Sequence, residues 1–432
     1  MRRTVVATTL LLCLIGAACT SSDDSGGGGS SSGGGPAEVV LWHGYQGVEK
    51  RSLDKLVNEF NSSHEDIEVT AQFNGSNDHA LQKVLTALAG GSYPDIAYLY
   101  GSWAANIAGA PRVVALNDMM QADSSFDWED FYPGEREAAT VDGEIVGIPA
   151  LVDNLAIVYN KKLFDQAGVA PPSPEWTWDD FRAAAQELTD PSTQQFGWAY
   201  PADASEDTVW HWEAMLWEAG GDILNEDNTE AVFDSPEGVE ALTALQAMAV
   251  DDESVFIDTT NTKIDQLFNS GKLAMVVTGP WALSSYPSVD YGVEIMPSFS
   301  DPENHQTIAG PDNWVLFDNG AARREAAFEF LSWLAAPEQV LQDSLATGHL
   351  PTRASVTELP GYKDFESKYE GIGTFVDNLG NVEKARPTVK TYPKISEALG
   401  QAIVAVLLGR AEPQEALDQA AQQVDAILAG EA

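Results

Sequence analysis

The chain is 432 residues long and carries 66 Asp and Glu against 23 Lys and Arg, a formal charge of −43 at pH 7. Such a field repels nucleic acid and phosphate-rich partners, which sets aside DNA and RNA binding. The two cysteines, Cys13 and Cys19, both lie near the amino terminus, so the remainder offers no disulfide, cysteine-ligated zinc site or cysteine nucleophile.

At the amino terminus Arg2 and Arg3 precede an apolar run from Leu10 to Ile15 and then Gly16-Ala17-Ala18-Cys19, the layout of a secretory signal. That run is too short to span a bilayer. Small residues directly before a cysteine resemble a bacterial lipoprotein signal, in which residues 1–18 are removed and Cys19 carries diacylglycerol. Gly16 stands where such signals usually have leucine, and a plain secretory signal is the alternative. Removal of Arg2 and Arg3, with no acid in the same segment, would take the charge from −43 to −45, and would leave a chain without free thiols. Such acidity favours solubility and fits a salty or acidic habitat. From Ser21 to Gly35 nearly every residue is Ser, Asp or Gly, which cannot bury enough apolar surface to fold. Residues 19–36 therefore read as a lipid-anchored flexible linker of about 20 Å reach.

Beyond the linker the pattern alternates. Glu38 to Trp42 predicts a strand, His43 to Gly47 a turn, and Leu53, Leu56, Val57 and Phe60 one face of a helix. The unit repeats as strand Ile67 to Phe73 with helix Ala80 to Leu88, and as strand Asp95 to Leu99 with helix Ser102 to Ile107. This alternation predicts a mainly parallel sheet covered by helices. In such sheets ligands settle beyond the carboxyl ends of the strands, here the loops at 43 to 46, 74 to 79 and 100 to 103. An extended run from Ile148 through Tyr159 follows. Helices are predicted at 178 to 189, 206 to 219, 236 to 249, 321 to 335 and 392 to 408, with short strands near 196 to 200, 273 to 278 and 291 to 296. No short-period repeat is present.

A family resemblance runs through these segments in order. Val39-Val40-Leu41-Trp42-His43, Gly91-Ser92-Tyr93-Pro94-Asp95-Ile96, Gly147-Ile148-Pro149, Leu155 to Phe164, Thr177 to Phe181, Phe233 to Glu237, Phe268 to Met275, Thr278-Gly279-Pro280-Trp281 and Thr347 to Thr352 resemble the family 1 extracellular solute-binding proteins of carbohydrate ABC importers. Maltose-, trehalose- and glycerol-phosphate-binding lipoproteins are of this kind. The resemblance implies an α/β fold of the two-lobe, type II-like periplasmic-binding-protein kind, each lobe a mainly parallel sheet under helices, hinged by crossing segments. It places lobe 1 at 37–150 plus 298–336 and lobe 2 at 151–297 plus 337–432. Hinge closure over ligand would then shift the protein between open and closed populations.

Sugars present hydroxyls around flat C–H patches, so a site needs planar donors and acceptors beside aromatic faces. Of the twelve tryptophans, most are expected in the core. Val209, Trp212, Leu216 and Ala219 form one helical stripe, which makes Trp212 core and leaves Trp210 as a cleft candidate. The resemblance places a sugar-stacking aromatic at Trp281 and a cleft-facing carboxylate or amide at Asp153, with Asn154 beside it. Asp153 could clasp two hydroxyls with its two oxygens. Strand-end loops supply His43, Gln46, Asn77, Asp78, Ser102 and Trp103, although His43 could simply cap a turn. Gly310, Asp312 and Asn313 match a family segment where the backbone approaches ligand. Arg353 could fork onto a sugar or pair with an acid.

Paired carboxylates could serve a glycosidase, but among 66 acids proximity in sequence carries no information. The six histidines show no zinc-helix spacing, no phosphate loop occurs, and a Gly-x-Ser-x-Gly match falls only at Gly29 to Gly33 in the linker, where no strand-to-helix elbow is predicted. The expectation is therefore a non-enzymatic binder without cofactor or metal. It would be a monomer on the outer face of the bacterial cytoplasmic membrane, delivering a neutral mono- or oligosaccharide to the membrane permease subunits. Glycerol 3-phosphate or a glycerophosphodiester is the alternative ligand, and a glycoside-processing enzyme the third reading.

Overall fold

The computed structural model describes residues 35–258, 262–299, 305–382 and 384–430. The signal segment, Cys19 and most of the linker lie outside the described residues.

The predicted first units form as strand Ala37–His43, helix Gly47–Ser63, strand Ile67–Phe73, helix Ala80–Gly90 and strand Ile96–Tyr100. Their strands pair in parallel, with Leu41 opposite Ala71 on one side and Ile96 on the other. Alternation in the first strand turns Val39 and Leu41 inward, where Leu53, Leu56, Val57 and Phe60 of the following helix cover them. Two strands from elsewhere complete this five-stranded sheet: Asp312–Leu316, which runs antiparallel to both neighbours, and Ile148–Leu151 at the edge. Helix Ala321–Leu334 packs on the same core, with Phe330 5.0 Å from Phe60 ring to ring.

The second sheet departs from the expected mainly parallel pattern. Strand Ala156–Asn160 pairs antiparallel with both Met275–Thr278 and Tyr291–Glu294. The two outer strands run the same way, and the chain enters the central one in the opposite sense from the crossing segment. Parallel pairing survives between Trp198–Pro201 and Val255–Asp258. The predicted helices appear as Trp178–Glu187, Glu206–Glu218, Pro236–Gln246 and Tyr392–Leu407. Thr177 and Asp180 close a reciprocal capping box at the start of the first of these, satisfying backbone donors the helix leaves open. Helices Pro337–Thr347 and Pro413–Leu428 are additions to the sequence reading.

Helix Glu206–Glu218 is buried on almost every side, Trp217 as completely as the Trp212 stripe. A one-face reading therefore undercounts its core residues: helices Pro236–Gln246 and Tyr392–Leu407 enclose it. Trp178, Trp198, Trp212 and Trp217 are core.

Three stretches run side by side between the two sheets. Val152 bridges to Leu350, Asn154 bridges to Ala309, and the Gly310 N–H donates to the Asp153 carbonyl at 2.8 Å. Ser298 pairs with Thr177 on the side of the second sheet. Helix Pro337–Thr347 touches both sides: Ser52 donates to Asp343 at 2.6 Å, while Leu341 joins the cluster of Tyr362 and Phe365.

Candidate functional site

A cavity of about 290 Å³ opens where the crossing stretches meet the carboxyl ends of the first three strands. Its first wall grows from the five-stranded sheet. Tyr45 follows the first strand, Asn77 and Asp78 follow the second, and Tyr98 and Tyr100 end the third. Asp312 lies directly across from Tyr100 in the antiparallel pairing. The Tyr100 hydroxyl donates to Asp78 Oδ1 at 3.0 Å, and the Tyr98 hydroxyl donates to Asp312 Oδ2. Close approach of the 74–79 loop depends on Gly44, because a Cβ there would lie 2.2 Å from Asn77 Oδ1.

Burial dominates the electrostatics of this wall. It raises the Asp312 pKa to about 7, against the downward pull of the Tyr98 hydrogen bond and the Arg386 charge. Asp78 is also raised, by burial first and by the charge of Asp207 second.

The crossing stretches form the floor. Asp153 accepts from the Leu350 N–H at 3.2 Å and bonds His349 Nδ1 through its other oxygen. His349 Nε2 lies 3.7 Å from Glu49. Burial alone would lower the His349 pKa; the Asp153 charge and hydrogen bond outweigh it and raise the pKa well above 6.5. The preceding Gly348, at φ +96°, passes so close to the 279–281 turn that a Cβ would sit 2.6 Å from the Pro280 carbonyl oxygen.

The opposite wall comes from helix Glu206–Glu218, the turn Pro280–Ser285 and a loop near residue 386. Trp210 and Trp281 stand together, ring centroids 5.8 Å apart and planes 32° from parallel. Gly310 lets the Trp210 ring come close: a Cβ there would meet its Cζ2 at 3.2 Å. Arg386 donates to Glu206 at 2.8 Å, and Glu206 also accepts from Tyr392 at 3.1 Å and from Ser396. Beneath this network burial raises Glu213 to about 8.

Seven of the residues singled out from sequence meet here: Asn77, Asp78, Asp153, Trp210, Trp281, Gly310 and Asp312. The others are placed elsewhere. His43 accepts from the Tyr45 N–H at 3.1 Å, so it holds the turn. Gln46 is exposed at the start of its helix and makes no capping bond. Ser102 and Trp103 are buried beneath Tyr100, whose ring is 4.6 Å from the Trp103 indole. Asn154 donates to the Phe375 carbonyl at 2.8 Å and accepts from Asn378 at 3.0 Å. Asn313 donates to the Ala138 carbonyl at 3.1 Å. Arg353 pairs with Asp130 at 3.3 Å and lies 3.9 Å over the Phe131 ring, lining a different surface groove.

Sequence reasoning missed Tyr45, Glu49, Tyr98, Tyr100, Leu151, Glu206, Asp207, His349 and Arg386. The strand-end rule points to loops that border the cavity, where Tyr100 rather than Ser102 is the lining side chain. His349 sat inside a matched segment. Arg386 lies in a stretch without periodicity, and no sequence signal marks it. Among the described residues no group of three or more His, Cys, Asp or Glu could hold a metal ion, and no helix is long and apolar enough to cross a membrane.

Comparison with known proteins adds four findings. A family model described as bacterial extracellular solute-binding protein matches residues 46–341. The chain is 24% identical over 409 residues to the sn-glycerol-3-phosphate-binding periplasmic protein of Pectobacterium atrosepticum, covering 90% of this chain and 91% of that one. Among solved structures it is similar to the ABC substrate-binding protein Lmo0181 of Listeria monocytogenes in complex with cycloalternan, with 27% identity, a TM-score of 0.83, and 91% and 99% of the two chains covered. It is also similar to the cyclic alpha-maltosyl-1,6-maltose binding protein of Arthrobacter globiformis, with 31% identity, a TM-score of 0.75, and 92% and 100% covered.

Proposed function

The chain belongs to the bacterial extracellular solute-binding protein family, and from that premise we propose that its ligand is a sugar held between Trp281 and Trp210 on one wall and Asp78, Asp312 and Asp153 on the others. It is the binding component of an ABC importer and not an enzyme. The observation that carries the sugar reading is the mixture of unpartnered polar atoms beside indole faces. Asp312 Oδ1 and Asn77 Oδ1 are acceptors without donors, and Trp210 Nε1 is a donor without an acceptor. All three residues line the cavity. Hydroxyls both donate and accept, and the C–H face of a sugar ring packs on indole. The relatives solved with cycloalternan and named for a maltosyl-maltose ring support this choice.

The glycerol phosphate reading draws on the name of the Pectobacterium relative. Against it, a dianion would enter a cavity lined by six acids, where Arg386 is already bonded to Glu206. A thermal-shift screen of mono-, di- and trisaccharides beside glycerol phosphates tests the choice, because a ligand that binds only the native state raises its melting temperature. A shift with glycerol phosphate and with no sugar would overturn the reading.

Cys19 as the lipid anchor, the linker to residue 36 and a monomeric working state complete the proposal. Two acyl chains are what stable anchoring requires. The two lobes would comprise 37–150 with the strand and helix between 312 and 334, and 151–297 with most of the chain beyond 350. Pairing of Asp312–Leu316 within the first sheet supports this division. Hinge motion would then centre on 152–154, 309–310 and 350, somewhat inside the edges at 298 and 337 expected from resemblance.

A further inference from the structure

The cavity is small, and its walls are tied together. At about 290 Å³ it lies at the lower end of the roughly 300–1,000 Å³ that small-molecule sites offer. A hexose ring with its hydroxyls, packed as tightly as a protein interior, occupies about 200 Å³. One ring therefore fits with room to spare, a second fills the space to its mouth, and a third has no wall left to touch. The aromatic platform has the same scale: Trp210 and Trp281, with centroids 5.8 Å apart, offer adjoining faces for one or two rings and not for a longer series.

Parting the walls to admit more would break contacts between them. Asn106, on the short helix Ala104–Ile107, donates from Nδ2 to the Lys390 carbonyl at 2.6 Å. Trp103, Ala104 and Ile107 pack with strand Ile96–Tyr100 of the first sheet, whereas helix Tyr392–Leu407, which begins just after Lys390, belongs to the core of the second. The bond thus crosses from one wall to the other. Both of its ends are close in sequence to the cavity: Arg386 lines it, and Trp103 lies against the lining residue Tyr100. A second tie runs through the floor. His349 Nε2 lies 3.7 Å from Glu49 of the first wall, and Gly348 passes against the Pro280 carbonyl of the second.

We propose that the ligand is a sugar of one or two rings, and that the Asn106–Lys390 contact sets this limit by closing one rim of the cavity. The inference rests on the sugar reading above and narrows it. It gives this chain a smaller ligand than the ring of two maltose units for which the Arthrobacter relative is named.

Titration calorimetry on the whole chain tests this with malto-, isomalto-, cello- and galacto-oligosaccharides of one to four rings, together with trehalose and cyclic maltosyl-maltose. Binding should be tightest at one or two rings. The larger members should be about five- to tenfold weaker, the worth of the one rim hydrogen bond that a larger ligand breaks. In Asn106→Ala that gap should narrow, because the rim has no such bond to lose. A cyclic, three-ring or four-ring sugar that binds more tightly than every smaller one overturns the inference and leaves the sugar reading standing. A gap unchanged in Asn106→Ala overturns the part assigned to the rim. No response to any sugar, with or without binding of glycerol 3-phosphate, overturns both.

Discussion

Trp210 and Trp281 come from a buried helix and from a turn about seventy residues later, yet their rings lie 5.8 Å apart and tilted by only 32°. Their settings differ. Trp210 is 7% exposed and belongs to the core of the second sheet, whereas Trp281 is only partly buried at its edge. Trp281→Ala should therefore cost roughly 1–3 kcal/mol of sugar affinity with little loss of folding stability. Trp210→Ala should lower both. Calorimetry paired with urea unfolding separates the two effects, and unchanged affinity in Trp281→Ala would remove it from the site.

His349 and Asp153 join the strand-end crossing to the stretch that returns near residue 350. Removing one partner of a buried pair leaves the other charge uncompensated, so His349→Ala should lose about 3–5 kcal/mol of stability. The sign of the pH dependence follows from the direction of the shift. The folded-state pKa of His349 is raised above 6.5, so its contribution is complete below 6.5 and disappears as the pH rises through the higher folded value. The stability gap between wild type and His349→Ala, followed in urea from pH 6 upward, should narrow on the alkaline side. A gap that widens would contradict the pairing.

Asp312 behaves in the opposite sense to an ion-paired acid. Its pKa is raised from 3.8 to about 7, so between those values the folded chain keeps a proton that the unfolded chain has released. Stability relative to Asp312→Asn should fall across that window by up to about 4 kcal/mol and then level off. Chemical unfolding of both proteins from pH 4 to 8 would show it. No difference in slope would mean that Asp312 is charged and satisfied in the free protein.

Arg353 offers a control outside the cavity. Its guanidinium bonds Asp130 and the Asp127 carbonyl and lies over Phe131. Arg353→Ala should destabilise the fold, since Asp130 loses its partner, while ligand affinity stays unchanged. Loss of affinity without loss of stability would restore it as a contact.

Cys19→Ala should release the protein from the membrane fraction into the medium if the cysteine carries the lipid. Continued membrane association of that variant would argue for another tether.

Much of this architecture was legible because period and strand-end geometry are local. Leu53, Leu56, Val57 and Phe60 announced their helix, and the first three strands paired as their alternation with helices required. Strand Asp312–Leu316 was not read as a strand, since its place in the first sheet is decided by partners some 215 residues earlier. The candidate site divides the same way. Trp281 and Asp153 stood in matched segments, and the loops after the strands pointed to Asn77 and Asp78. Arg386 reaches the cavity only because Glu206, Tyr392 and Ser396 hold the network behind it, a tertiary arrangement with no periodic trace. Asn154 and Asn313 lie outside the cavity lining for a related reason: a polar side chain at a crossing can satisfy a neighbouring carbonyl as readily as a ligand.

The most direct test of the sugar-binding account is a crystal structure of the protein with the tightest-binding saccharide from the screen. The account predicts a sugar ring packed on the Trp281 indole, with hydroxyl groups bonded to Asp312 and Asp78. A ligand lodged in the groove beside Arg353, or a cavity left empty while the ligand binds elsewhere, would contradict it.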